Sequence, residues 1–209
     1  MKLTSGQVYH VYNRGNNRQR LFYHKENYTY FLSKVHQYLV PNCDLLAYCL
    51  MPNHFHFLIH ANKRSAKLYR RSNIRTNKLI APRPKMSYFS KGLQLLLSSY
   101  AKSVNKRFTR SGSLFRQNTK WKKTSDDLFS FDYSVSCFKY IHQNPVTAGL
   151  AQSPADWKYS SYREYAGLST DPPLCNLKMA KHLLSLEKND MLNLSNLEIP
   201  TEVLKKIFK

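Results

Sequence analysis

LLAYCLMPNHFHFLIH, residues 45–60, decides how the chain folds. Residues 45–51 form a short apolar run, Pro52-Asn53 supplies a turn, and residues 54–60 form a second strand-like run. Two residues between two such runs predict a tight antiparallel hairpin. Period-2 geometry then sends Phe55, Phe57 and Ile59 to one face of the second strand and His54, His56 and His60 to the other. The phenylalanines can fill a core while His54 and His56 converge on one point.

Outward from the hairpin, the chain alternates strands with helices. QVYHVYNR, residues 7–14, reads as a first strand with Val8, His10 and Tyr12 on one face, and Gly15-Asn16-Asn17 as the turn after it. In KENYTYFLSKVHQYL, residues 25–39, Tyr28, Phe31, Leu32, Val35 and Leu39 recur at helical spacing until Pro41-Asn42 stops them. Residues 63–85 contain no acidic residue and carry Pro82 and Pro84, which predicts a mobile basic loop inserted after the hairpin. Helical spacing returns at residues 87–108 through Phe89, Leu93, Leu96, Leu97, Tyr100 and Val104, with Gly92 weakening the early part. KWKK, residues 120–123, reads as a last strand. Residues 125–145 carry acidic residues early and end at Asn144-Pro145, the pattern of a third helix.

The order strand, helix, hairpin, helix, strand predicts an α+β fold of the split βαβ (ferredoxin-like or RRM-like) kind, an antiparallel sheet with helices on one face. That fold hosts many functions and chooses none. The expected organisation is a catalytic domain over residues 1–150, then an aromatic segment wrapping back on the core and a small helical tail over residues 151–209.

Charge narrows the partner. The 209 residues carry 33 Lys+Arg against 12 Asp+Glu, a formal net charge of +21. Self-repulsion of that size points to an anionic partner, and nucleic acid comes first. The cations are spread along the chain rather than gathered on one amphipathic helix, which argues against a membrane-surface binder. No stretch reaches the ~18 to 20 apolar residues of a membrane span, and the N-terminus lacks an apolar signal core, so a cytoplasmic location is expected. Cys43, Cys49, Cys137 and Cys175 show no C-x-x-C spacing and read as reduced core thiols.

Two constellations can carry chemistry. Imidazoles at i and i+2 make half a divalent-metal site, in which nitrogen ligands suit Mn, Zn or Co and Mg less comfortably. Hydrogen-bonded core or surface histidines give the same H-x-H pattern. His60 lies about 13 Å beyond His56 at the usual strand rise, too far to share an ion. At the end of the third helix, Tyr140 and Asn144 are four apart and share a face, and an amide oxygen can ligate a hard or borderline metal. Tyr140 alone is also an ordinary core or interface aromatic.

Taken together these segments resemble a known family. AYCLMPNHFHFLIH (47–60), VYHVYNRGNNRQRLFY (8–23), SGSLFRQ (111–117), YIHQNPVTAGL (140–150) and WKYSSY (157–162) are similar, in order, to the REP-associated tyrosine transposases of the HUH endonuclease superfamily. The resemblance runs from about Tyr9 to Tyr162. It implies a metal-dependent enzyme that nicks and rejoins single-stranded DNA, with a divalent ion (Mg²⁺ or Mn²⁺) held by His54, His56 and Asn144, and with Tyr140 as the nucleophile. Gln143 is the alternative to Asn144 as ligand. The implied substrate is hairpin DNA of the palindromic-repeat class, and a monomer is expected rather than a homodimer. The insertion at 63–85 is unusually basic and the tail after residue 168 has no assignable motif, two departures from the family pattern.

A DNA substrate gives the cations a purpose. Arg14, Arg18, Arg20, Lys106, Arg107, Arg110, Arg116, Lys120 and Lys122 are candidate phosphate contacts, and any one of them can equally be a solvated surface charge. Tyr12, Phe22, Tyr69 and Trp121 are candidate base-stacking residues, with core packing as the alternative. Two further readings stand beside the transposase: a non-catalytic nucleic-acid-binding module of the same fold, and a hydrolytic metal nuclease that forms no covalent adduct.

Overall fold

The computed structural model describes residues 2–72, 79–80, 86–124 and 130–186. Among the described residues are strands β1 (Val8–Arg14), β2 (Asp44–Met51), β3 (His54–His60), β4 (Arg71–Ser72), β5 (Leu79–Ile80) and β6 (Lys120–Lys123) and six helices. These are α1 (Lys25–Tyr38), α2 (Lys63–Ala66), α3 (Tyr88–Arg107), α4 (Ser130–Thr147), α5 (Tyr162–Tyr165) and α6 (Leu177–Leu183). The main sheet has the order β2-β3-β1-β6, antiparallel throughout. The α+β class and the split βαβ order are as the sequence predicts. Among the described residues no helix is long and apolar enough to cross a membrane.

Pro52-Asn53 turns the hairpin, so Met51 pairs with His54 and Cys49 with His56. A bulge between Leu45 and Ala47 interrupts the alternation of β2. Leu45 therefore joins Tyr48 and Leu50 on the face of Phe55 and Phe57, while Leu46 and Ala47 both lie on the opposite face. The first face is covered by α1 and α3 through Phe31, Val35, Phe89, Leu96 and Tyr100. Phe31 touches the rings of Phe55, Phe57 and Tyr100, filling the centre of this core.

Gly92, a weakness in the predicted helix, is what lets α1 and α3 approach. A Cβ there would sit 2.2 Å from the Tyr38 carbonyl oxygen and 2.9 Å from Asn42 Nδ2. Gly92→Ala gains up to about 1 kcal/mol of helix propensity but forces backbone apart in a packed core, at about 1–3 kcal/mol. Packing should win, lowering the midpoint of urea unfolding; an unchanged or raised midpoint would show that the contact is slack.

In one respect the sheet differs from expectation. The helices do not all lie on one face: α4 packs across the other side of β2 and β3 through Cys137, Phe138, Tyr140 and Ile141. The physical reason is that this face is also apolar away from the histidines. Val8, Leu46, Ala47, Cys49, Met51 and Leu58 need a cover.

The predicted stop of the third helix at Asn144-Pro145 also moves. Helix α4 continues to Thr147 with Pro145 inside it, since a proline near the end removes only one intrahelical donor. Gly149, at φ +67°, ends the helix. Its N–H donates to the Val146 carbonyl and that of Leu150 to the Pro145 carbonyl, a Schellman cap.

Residues 151–186 return along β2. Leu50 N–H donates to the Tyr159 carbonyl and Ser161 N–H to the Tyr48 carbonyl, while Trp157 Nε1 donates to the Leu50 carbonyl at 3.1 Å. The Tyr165 hydroxyl donates to the Leu46 carbonyl at the bulge. The aromatic segment thus wraps back on the core, and α6 places Ala180, with Leu184 just beyond it, in the α4-side cluster. The rest of the predicted helical tail, residues 187–209, lies outside the described residues. The four cysteines are unpaired and buried.

Within the basic insertion a short helix and a strand pair stand where the sequence predicts a loop. Asn62 caps α2 by accepting from Ser65 N–H, and β4 pairs with β5. Its residues 73–78 and 81–85 lie outside the described residues.

Candidate active site

The turn-proximal end of β3 meets the C-terminal half of α4. His54 and His56 project from the same face of β3, their ring centroids 5.0 Å apart and nearly perpendicular. From α4, Tyr140 brings its ring to 5.4 Å from that of His56. One turn later, Asn144 Nδ2 donates to the Tyr140 hydroxyl at 2.8 Å, and the Asn144 side chain also contacts His54. The i, i+4 spacing thus delivers a hydroxyl and an amide to the histidine pair. Gln143, the alternative ligand, is not the residue paired with Tyr140 in this bond.

The ring nitrogens are already partly assigned. His54 Nδ1 lies 2.7 Å from Asn53 Oδ1. An amide oxygen only accepts, so Nδ1 carries the proton and Nε2 keeps its lone pair. His56 Nδ1 lies 2.8 Å from Nε2 of His10 on β1, while His56 Nε2 is buried without a hydrogen-bond partner. A buried imidazole nitrogen with no partner beside a second lone-pair nitrogen and an amide is what a divalent ion would fit. Among the described residues no group of three His, Cys, Asp or Glu is arranged to hold a metal ion by itself. A metal here would rely on two imidazoles and the Asn144 amide.

Burial keeps both rings neutral. It pushes His54 down to about 4, with the Asn144 contact opposing and Arg14 adding to the shift. It also lowers His56 well below the usual histidine range, helped by His10 and His54. Neutral imidazole is the ligating form. Tyr140 moves the other way: burial raises its hydroxyl above the usual tyrosine range, and the Asn144 hydrogen bond works against that rise.

The histidines open into a cleft of about 720 Å³ whose walls include Tyr12, Asn13, Arg14, Arg18, Asn53, Arg116 and Lys120. The sequence matches no protein-family model and no curated protein. A solved structure described as a REP-associated tyrosine transposase bound to a REP hairpin superposes with a TM-score of 0.54 at 13% sequence identity. The match covers 82% of this chain and 86% of that one. The fold is that of a REP-associated tyrosine transposase.

On this transposase fold the predicted cations divide. Arg14, Arg18, Arg116 and Lys120 line the histidine cleft. Lys122 pairs opposite His10 in the sheet and lies over the Tyr133 ring. Arg20, Lys106 and Arg107 are exposed away from the cleft, and Arg110 is tied to Gln19 Oε1 at 2.6 Å.

The aromatic candidates divide as well. Tyr12 stacks on His10 at 4.7 Å and lies 5.8 Å from His56, so it belongs to the cleft. Phe22 is 1% exposed and is a core residue stacked on Tyr28. Trp121, although 39% exposed, lies against Tyr9 and lines a groove beside α3 on the opposite face of the sheet. Period 2 explains this: in Lys120-Trp121-Lys122 the lysines take the histidine face. Tyr69 meets Tyr88 near the basic insertion. His60 pairs with Asp44 Oδ2 at 3.0 Å, at the far end of β3.

His10, Asn13 and Asn53 are the site residues that motif reading passed over. The alternation of residues 7–14 put His10 on one face with Tyr12, yet no spacing rule relates it to His56, which is 46 residues away.

Proposed function

We propose that the protein is a metal-dependent enzyme that nicks and rejoins single-stranded DNA, acting on hairpin DNA through a 5′-phosphotyrosine. The observation that carries this reading is the meeting of Tyr140 and Asn144 with His54 and His56 at the end of a cation-lined cleft. The hairpin-bound transposase of like fold supports the substrate class. His54, His56 and Asn144 would hold a divalent ion, Mg²⁺ or Mn²⁺, which when bound withdraws charge from the non-bridging phosphate oxygens. Tyr140 packs against His56 of its own chain, so a monomer is the proposed working unit.

The protein side of the reaction follows from Tyr140. Its hydroxyl oxygen attacks the phosphorus, an O–P bond to tyrosine forms, the P–O3′ bond breaks, and the departing 3′-oxygen takes up a proton as the phenol loses one. Burial makes that phenol a poor acid, and the Asn144 amide offsets part of the penalty by donating to the same oxygen. Reversal by a DNA 3′-hydroxyl regenerates tyrosine, so the bond energy is conserved and no nucleotide cofactor is required. Arg14, Arg18, Arg116 and Lys120 supply phosphate contacts along the strand entering the site.

The test is incubation with end-labelled hairpin DNA carrying a single-stranded flank, in the presence of Mn²⁺. A protein-DNA adduct that survives SDS is expected. Free cut ends without adduct would favour the hydrolytic nuclease, and binding without cleavage would favour the non-catalytic module.

A further inference from the structure

The buried pair of His10 and His56 has an unusual hydrogen-bond account. His10 is 0% exposed and His56 4%. Their rings lie side by side and nearly parallel, with centroids 5.0 Å apart and 18° between planes, and one bond, His10 Nε2 to His56 Nδ1 at 2.8 Å, joins them edge to edge. The outer nitrogens, His10 Nδ1 and His56 Nε2, have no hydrogen-bond partner. A single proton must therefore occupy the shared bond, and its owner decides which nitrogen of His56 carries a lone pair into the site.

We propose that His10 is a positioning residue that accepts the Nδ1–H of His56, fixing the tautomer in which His56 Nε2 presents its lone pair to the cleft. In the opposite arrangement, His10 would donate and His56 would carry its proton on Nε2, a buried nitrogen that has no hydrogen-bond partner to receive it. The assigned arrangement instead leaves the unsatisfied N–H on His10, at the remote end of the pair and away from the ligand set. Tyr12 stacks on His10 at 4.7 Å and covers its ring beside that of His56. The same logic operates at His54, whose Nδ1–H is fixed by Asn53 Oδ1 at 2.7 Å. Two different partners, a neighbouring amide and a cross-strand imidazole, thus set both rings to expose Nε2. The inference rests on the reading of His54 and His56 as metal ligands.

The tautomer is measurable without metal or DNA. Two-bond ¹H–¹⁵N correlation spectra of the metal-free protein report which nitrogen of each ring is protonated, and calorimetric titration with Mn²⁺ alone reports affinity. Wild type is expected to show His56 protonated at Nδ1. His10→Phe keeps the stacked ring and removes the acceptor; His56 should then populate the Nε2–H form and Mn²⁺ should bind about 10- to 100-fold more weakly. His10→Gln, with an amide oxygen able to accept, should recover most of that affinity, which a loss of packing alone would not predict. An Nε2–H form of His56 in wild type, or an unchanged tautomer and affinity in His10→Phe, would overturn the proposal. If wild type binds no Mn²⁺ while the Nδ1–H tautomer is present and is lost in His10→Phe, the metal reading falls and the role of His10 in setting the tautomer stands.

Discussion

Tyr140→Phe should eliminate the SDS-resistant adduct and reduce strand cleavage by at least about 10³-fold, the scale on which loss of a covalent nucleophile is felt, while leaving hairpin binding close to wild type. The expected separation follows from what the substitution removes. Phenylalanine keeps the ring that packs edge-on against His56 at 5.4 Å and its place in the α4-side cluster. It deletes one oxygen and the 2.8 Å bond from Asn144. The stability lost with one such hydrogen bond is about 0.5–1.5 kcal/mol, too little to unfold an ordinary domain. The cleft cations Arg14, Arg18, Arg116 and Lys120, proposed to hold the phosphates, belong to β1 and the loops and strand at the cleft wall, not to α4. Gel-shift affinity and adduct yield should therefore part company in this variant. An adduct of undiminished yield would assign the nucleophile elsewhere, and Tyr12, which lies in the same cleft, would be the first candidate.

What could be read from the sequence, and what could not, divides along the range of the forces involved. The hairpin at 45–60, the alternation that separates His54 and His56 from the phenylalanines, and the i, i+4 pairing of Tyr140 with Asn144 are local periodicities. All of them hold at the backbone level. The face covered by α4 is not local. It depends on Leu46 and Leu58 leaving an apolar surface beside the histidines, and the bulge that turns Leu46 there has no marker in an all-apolar run. Trp121 illustrates the same boundary. Its exposure and basic neighbours suit base stacking, but one step of strand alternation puts it on the far side of the sheet from the histidine cleft. The partnership of His10 with His56 needs the β1–β3 register, in which His10 pairs with Leu58 and reaches His56 on the diagonal. Pro145 was legible as a breaker but not as one tolerated in the last turn, because Gly149 supplies the real end.

Acidification from about pH 7 to about pH 4 should unfold the protein through its histidines. Burial drives His10 and His142 down to about 3, and His54 to about 4, from an unfolded value of 6.5. In the folded state these rings are neutral across a window in which the unfolded chain takes up protons. Their contribution is fully present above about pH 6.5 and is lost as pH falls toward the folded values. Each histidine contributes a slope of about 1.4 kcal/mol per pH unit inside that window. Three together remove on the order of 8 kcal/mol over two units, comparable to the whole stability of a typical domain at about 5–15 kcal/mol. His142 allows a clean dissection because it lies away from the cleft: its Nε2 meets Ser161 Oγ at 2.7 Å and ties α4 to the returning segment beside β2. His142→Gln keeps a neutral polar group there and deletes one titration. Circular dichroism should show the acid midpoint moving down and the transition becoming shallower by about one proton. A midpoint identical to wild type would mean that His142 takes up its proton alike in the folded and unfolded states, so that burial does not suppress its protonation.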